Sequence, residues 1–88
     1  MGFLVEFRGV VQGVGFRPLV FRIAERLGVK GFVKNTGFGV LVECDCDEGM
    51  LELFLDEINS GLPSIARIDD VKIRRVVGVW SGFRIERS

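Results

Sequence analysis

Hydrophobic and polar residues alternate along several short segments of the chain, and a period of two is typical of half-buried strands. In the first such segment, residues 3–10, one face is apolar and the other more polar: Phe3, Val5 and Phe7 against Leu4, Glu6 and Arg8. Two further β-rich segments, residues 31–35 and 39–46, are joined by residues 35–39. The asparagine and glycines of this connection tolerate the positive φ angles that a hairpin turn demands. We therefore predict one strand followed, later in the chain, by a β-hairpin.

Two other segments carry hydrophobic residues at helical spacing. The first presents one apolar stripe, Leu19, Val20, Ile23, Ala24 and Leu27, and the second presents another, Leu51, Phe54, Leu55 and Ile58. Pro18 suits the first helical position and Gly28 a helix stop. Asp47 is a plausible N-cap for the second helix, which Gly61 and Pro63 would end.

A fourth strand is predicted at about residues 68–76, and Phe83 with Ile85 indicates a short final strand. The resulting order, β-α-β-β-α-β plus a terminal strand, predicts an α+β ferredoxin-like sandwich, with an antiparallel sheet and both helices on one face. In this fold the first two strands run parallel. Arg17, in the loop after strand one, and Asn35, at the end of strand two, should therefore lie at the same end of the sheet.

Composition limits the classes of function. The chain has 88 residues, which predicts a single domain over 1–88. Twelve basic and twelve acidic side chains cancel, so no long-range positive field would attract nucleic acid or an anionic membrane. No apolar run approaches the roughly 20 residues of a membrane span, and the first residues lack the pattern of a signal peptide. We expect a soluble cytoplasmic protein with no nucleic-acid or membrane partner.

The only cysteines are Cys44 and Cys46, two residues apart in a predicted strand. Their side chains would share a face but would be poorly placed for a disulfide. Because the chain has no histidine, a zinc site would have to recruit carboxylates such as Asp45 or Asp47. We interpret the pair as small strand residues in a reducing compartment and predict no metal site.

The segment VVQGVGFRP, residues 10–18, is the main candidate for a binding site. Consecutive backbone N–H groups in a glycine-rich turn before a helix can form a nest for an anion, and Arg17 adds a planar set of donors. Gly13 and Gly15 could instead merely shape the connection. A dinucleotide site is disfavoured because Pro18 stands in place of the third glycine of GxGxxG, and a P-loop is disfavoured because its Lys-Ser/Thr is missing.

The absence of histidine also limits the chemistry. No Ser-His or Cys-His pair is possible, so an enzymatic reaction would need little acid–base assistance. Cleavage of an acyl phosphate meets that condition because its carboxylate leaving group departs unprotonated. Asn35 supplies a carboxamide that could hold the attacking water, although an asparagine here could equally be a turn residue.

The sequence resembles the acylphosphatase family. GVVQGVGFRP followed by AERLGVKGFVKNTGFGVLVE, within residues 9–43, is similar to its signature V-Q-G-V-x-F-R, a helix and G-x-V-x-N. The resemblance implies that Arg17 binds the substrate phosphate and that Asn35 orients the attacking water. It also implies a phosphate cradle formed by the backbone of Gln12, Gly13, Val14, Gly15 and Phe16, and no metal or organic cofactor.

Two details are similar to the N-terminal acylphosphatase-like domain of HypF, the carbamoyl-phosphate-processing protein of hydrogenase maturation. These are Pro18 directly after Arg17 and the segment PSIARIDDV at residues 63–71. HypF proteins continue into zinc-finger, nucleotide-binding and transferase domains. The resemblance therefore leaves two possibilities: a free-standing enzyme acting on acyl phosphates, or an excised domain that processes carbamoyl phosphate alongside further HypF domains.

Two non-enzymatic functions also suit a ferredoxin-like fold. An RNA-binding sheet needs stacking aromatics and a basic surface, but Phe3 and Phe7 share an apolar face with Val5 and indicate core positions. A regulatory module would bind phosphate weakly and would catalyse no reaction. The single tryptophan, Trp80, is interpreted as ordinary packing.

Overall fold

A computed structural model describes residues 1–87 and contains five strands and two helices in the predicted order. The elements are β1 (Gly2–Val10), α1 (Phe16–Leu27), β2 (Lys30–Asn35), β3 (Val40–Asp45), α2 (Glu48–Ser60), β4 (Arg67–Val76) and β5 (Phe83–Glu86). The predicted ferredoxin-like fold is confirmed.

The five strands form one sheet in the order β4-β1-β3-β2-β5. The first four strands pair antiparallel, as predicted, whereas the extra strand β5 pairs parallel with β2. The sheet is therefore mixed rather than purely antiparallel. The reason is the path of the chain: β4 runs opposite to β2, and the connection at residues 77–82 reverses direction before β5 joins the far edge.

Both helices contribute to one hydrophobic core with alternate residues of the sheet. The predicted stripes supply the buried positions Leu19, Val20, Ile23 and Ala24 in α1 and Leu51, Phe54 and Ile58 in α2. Phe3 and Phe7 are buried in the same core, as predicted. Full burial of a side chain such as Phe54 contributes about 1.5–3 kcal/mol, so these stripes hold the helices against the sheet. Neither helix in residues 1–87 is long and apolar enough to cross a membrane.

The helix boundaries show one confirmed cap and one displaced proline. Asp47 caps α2, since its Oδ1 accepts a hydrogen bond of 2.8 Å from the N–H of Met50. However, α1 begins at Phe16, so Pro18 occupies the third helical position rather than the first. A proline is tolerated there because the first N–H groups of a helix have no acceptor within the helix.

The β2–β3 turn is built differently from the prediction. None of its residues has a positive φ. Instead, Thr36 Oγ1 accepts hydrogen bonds from the backbone N–H of Phe38 at 3.3 Å and of Gly39 at 3.1 Å. Gly39 is required by space, because a Cβ at this position would collide with the carbonyl oxygen of Phe7 in β1. The turn is therefore closed by a threonine side chain and seated against β1.

Candidate active site

Two strands with the same direction place the predicted site residues at the same end of the sheet. Both β1 and β2 pair antiparallel with β3, so they run parallel to each other. The loop that follows β1 and Asn35, the last residue of β2, consequently lie at the same end of the sheet. This arrangement is the one that the predicted topology required.

The loop after β1, residues 12–16, is named here the cradle loop, and buried side chains hold it at both ends. Val11 and Phe16 are each only 1% exposed. The Phe16 ring packs edge-on against Phe7, with 5.1 Å between ring centroids. Between these anchors, Gly13 and Gly15 are exposed and adopt left-handed φ angles of 73° and 82°. Such angles let consecutive backbone N–H groups point into one concavity.

The start of α1 offers backbone donors that residues 1–87 leave unused. Gly15 is the N-cap, and no side chain caps this helix end. The first helical hydrogen bond runs from the N–H of Leu19 to the carbonyl of Gly15, at 3.2 Å, and Pro18 has no N–H. The N–H groups of Gly15, Phe16 and Arg17 therefore have no acceptor within the helix. A helix start of this kind is a favourable place for an anion.

Arg17 differs from most other arginines of the protein. Five arginines form ion pairs with carboxylates: Arg8, Arg26, Arg67, Arg75 and Arg84. No ion pair or side-chain hydrogen bond within residues 1–87 involves Arg17, although it is half-buried at the start of α1. Its guanidinium is therefore free to bind an anion through two donors at once.

Asn35 carries an unsatisfied polar atom at this end of the sheet. Its Oδ1 is buried and accepts no hydrogen bond from the described part of the chain. A buried acceptor without a partner costs about 1–3 kcal/mol, which a water molecule or ligand would recover. Asn35 lines a cavity of about 520 Å³ together with Gln12, Lys34, Thr36 and Gly37. Another cavity, of about 410 Å³, opens on the uncovered face of the sheet and includes none of the predicted site residues.

Gln12 links the cradle loop to the β2–β3 turn. Its Nε2 donates to the carbonyl oxygens of Thr36 at 2.6 Å and Gly39 at 2.7 Å. The sequence assigned only the backbone of Gln12 to the cradle and missed this contact. The sole available signal was that Gln12 is one of three carboxamide residues in the chain, and nothing in the sequence indicates partners 24 and 27 residues away.

The structure also places two predicted residues, Val14 and Phe16, and two residues that were not predicted, Lys34 and Thr36. Val14 packs partly against the core and Phe16 is buried in it, so both side chains are engaged in packing. Lys34 and Thr36 line the cavity beside Asn35 and were not predicted. For Lys34 the only hint was its place next to Asn35 in the chain.

The cysteines lie away from this site, because β3 starts at the β2–β3 turn and runs to the opposite end of the sheet. Cys44 is buried and Cys46 half-buried, and both are free thiols. The neighbouring Cys44 thiol lowers the pKa of Cys46, whereas the Cys46 thiol together with burial raises the pKa of Cys44. Within residues 1–87, no group of three or more Cys, Asp or Glu side chains could hold a metal ion.

Comparisons with known proteins agree on one family. The family model described as Acylphosphatase matches residues 3–85. Carbamoyltransferase HypF2 of Cupriavidus necator is 42% identical over 67 residues, which cover 76% of this chain and 8% of that protein. The Acylphosphatase of Thermotoga petrophila is 44% identical over 61 residues, which cover 68% of each chain.

Solved structures give the same result. The crystal structure of full-length HypF in the phosphate- and nucleotide-bound form matches with a TM-score of 0.90 and 38% identity, covering 97% of this chain and 11% of that one. The chain thus spans between 8% and 11% of the length of these HypF relatives. Because the family model covers nearly the whole chain and the fold agrees with it, this chain belongs to the acylphosphatase family.

Proposed function

We propose that this protein hydrolyses acyl phosphates to a carboxylate and inorganic phosphate. The observation that carries the proposal is the pairing of two unsatisfied groups at one end of the sheet. On one side, the unpaired Arg17 and the free N–H groups of the cradle loop offer positive charge and donors. On the other, Asn35 presents a buried acceptor without a partner.

In the proposed mechanism the phosphoryl group binds first. Its oxygens accept hydrogen bonds from the backbone N–H groups of residues 12–16 and from the guanidinium of Arg17. Fixed donors of this kind stabilise the charge of the phosphoryl group in the transition state without reorganising. The buried side chains of Val11 and Phe16 keep the donors in place.

The attacking water is held by Asn35. A water that donates one hydrogen bond to Asn35 Oδ1 has a lone pair free for phosphorus, in line with the leaving group. The new bond forms between the water oxygen and phosphorus, and the bond from phosphorus to the acyl oxygen breaks. The acyl oxygen leaves as part of a carboxylate with the bonding electron pair, and the water proton passes to a phosphate oxygen. This mechanism uses no metal or organic cofactor.

The HypF relatives favour a second candidate function. The match to full-length HypF has a TM-score of 0.90, and the chain corresponds to a small part of that protein. In this alternative the chain is the N-terminal domain of a HypF-type protein, carbamoyl phosphate is the substrate, and the remaining domains are its partners. The same cradle and the same Asn35 would serve it, since both substrates contain an acyl phosphate group.

The test is steady-state hydrolysis of benzoyl phosphate beside carbamoyl phosphate. The proposal expects turnover of benzoyl phosphate and competitive inhibition by inorganic phosphate. Turnover of carbamoyl phosphate alone would select the HypF-type function. If the folded protein hydrolysed neither substrate, both enzymatic functions would be rejected, and the result would favour a regulatory module.

Two variants test the assigned roles. Removing a preorganised anion donor costs about 2.7–4 kcal/mol of transition-state stabilisation, so Arg17→Ala should lower turnover by about 10²–10³-fold and weaken phosphate inhibition. Arg22→Ala is the matched control, because Arg22 is an exposed arginine on the same helix. Asn35→Ala should abolish turnover yet leave phosphate inhibition largely intact. If Asn35→Ala weakened inhibition without slowing turnover, the two roles would have to be exchanged.

A further inference from the structure

We infer that the Gln12 side chain is a positioning residue that fixes Asn35 relative to the phosphate cradle, and that it is not itself a phosphate ligand. This inference rests on the proposed function. It starts from the two hydrogen bonds that the Gln12 amide donates to Thr36 and Gly39 of the β2–β3 turn.

The partners determine the orientation of the Gln12 amide. A glutamine amide has two N–H donors on nitrogen and only acceptors on oxygen. Both groups within 2.7 Å are backbone carbonyl oxygens, which can only accept, so the nitrogen must face the turn. Both donors are then occupied, and the exposed Oε1, an acceptor, has nothing to offer an anion. A direct contact from this side chain to phosphate would break one of the two bonds.

The two hydrogen bonds of Gln12 lie close to Asn35 in the chain and can therefore fix its position. Thr36 is the next residue after Asn35, and its carbonyl belongs to the peptide unit between Thr36 and Gly37, so Gln12 holds the chain one peptide unit beyond Asn35. The Gly39 carbonyl accepts from Gln12 and also from the N–H of Thr36 at 2.8 Å. Gly39 in turn lies against the carbonyl of Phe7 in β1. The turn is therefore fixed by β1 on one side and by the cradle loop on the other.

This link joins the two halves of the proposed site. The donors for phosphate belong to the loop after β1, whereas the acceptor for water belongs to the end of β2, and β3 separates these strands in the sheet. Gln12 is in the cradle loop and bonds directly to the turn that follows Asn35. Without it, the distance between water and phosphorus would depend on the sheet alone. A misplacement of about 1 Å in a reacting pair can cost about 10²-fold in rate.

The experiment compares Gln12→Met with the wild-type protein. Methionine keeps an unbranched side chain of similar length but has no donor, and Gln12 is exposed, so the fold should persist. We expect kcat for benzoyl phosphate to fall by about 10–100-fold while the inhibition constant of inorganic phosphate stays within about two-fold, because positioning affects the reacting pair rather than phosphate binding. Asn59→Ala is the matched control, since it removes an exposed carboxamide on α2 and should change neither value.

A spectroscopic measurement makes the test independent of turnover. The chain contains three carboxamide residues, so a ¹H–¹⁵N correlation spectrum shows three side-chain amide pairs, from Gln12, Asn35 and Asn59. In the wild type the Gln12 pair should exchange slowly with solvent. In Gln12→Met the Asn35 pair should shift or broaden while the Asn59 pair stays in place.

The outcomes separate this inference from the proposed function. If phosphate inhibition weakens in parallel with kcat, Gln12 is a phosphate ligand and the inference is wrong. If the melting temperature falls but kcat and the Asn35 signals are unchanged, the side chain has a merely structural role and the inference is again wrong. If the wild type turns over no acyl phosphate, the proposed function fails, and a stationary Asn35 signal in Gln12→Met would separately reject the link.

Discussion

The conformation of Gly15 gives a sharp test of how the cradle loop is built. Gly15 is the N-cap of α1 at φ 82° and ψ 14°, in the left-handed region, and a Cβ added there would meet no atom within 4 Å. Gly15→Ala therefore introduces no collision, and its cost is the conformational penalty alone. For an L-residue that penalty is about 1–2 kcal/mol.

The expected change in melting temperature follows from the size of the domain. A loss of 1 kcal/mol lowers the melting temperature of a 60–100-residue domain by roughly 4–8 °C, so Gly15→Ala should lower it by about 4–16 °C. The appropriate measurement is thermal unfolding by calorimetry or circular dichroism at a fixed protein concentration. If the backbone at this position instead leaves the left-handed region in Gly15→Ala, the N–H groups of the cradle loop change direction. Phosphate inhibition should then weaken as well.

Two control variants isolate the cause. Gly15→Asn should cost less than Gly15→Ala, because asparagine tolerates the left-handed region better than alanine does. Gly49→Ala makes the same chemical change inside α2, where φ is not positive and the nearest atom to the new Cβ is Asp47 Oδ1 at an ordinary 3.6 Å. This variant should gain about 0.4–1 kcal/mol through the unfolded state. Equal destabilisation by both alanine variants, or none by Gly15→Ala, would refute the assigned conformation.

Two further predictions concern the opposite end of the sheet. Asp47→Ala removes the cap of α2 and should cost about 0.5–2 kcal/mol, measured by denaturant unfolding with Asp56→Ala, an exposed position on the same helix, as the control. Alkylation of Cys46 should reach half of its maximal rate at a lower pH than alkylation of an ordinary free thiol, because the neighbouring Cys44 thiol lowers the pKa of Cys46 and preserves its thiolate as the pH falls. Cys44→Ala should move that midpoint upward, and an unchanged midpoint in this variant would contradict the influence of Cys44 on Cys46.

The candidate site residues could be placed from the sequence because their positions depend on local properties and on strand order. Gly15 and Arg17 stand at fixed positions relative to a helix start that the hydrophobic stripe of α1 already marks. Asn35 ends a strand whose direction follows from the order of elements. The handedness of β-α-β connections then places both ends together. The displaced Pro18 shows the limit of such reasoning, since helix boundaries shift by a residue or two at little energetic cost.

The β2–β3 turn shows a different kind of failure. Glycine and asparagine predicted positive φ angles, but the turn uses the Thr36 hydroxyl and needs Gly39 only for its lack of a side chain. Composition indicates that a turn exists, but its geometry depends on what the turn packs against. Here the neighbour is Phe7 of β1, more than 30 residues earlier in the chain.

The sequence by itself determined the elements, their order, the buried stripes and the identity of the candidate residues, because periodicity, caps and handedness act over short distances. The tertiary structure alone decided which groups are left without partners and which are joined. It leaves Arg17 outside the ion pairs of residues 1–87, buries Asn35 Oδ1 and ties Gln12 to Thr36. It also made β5 parallel to β2. These features depend on contacts between residues far apart in the chain, and such contacts leave no periodic or compositional pattern in a single sequence.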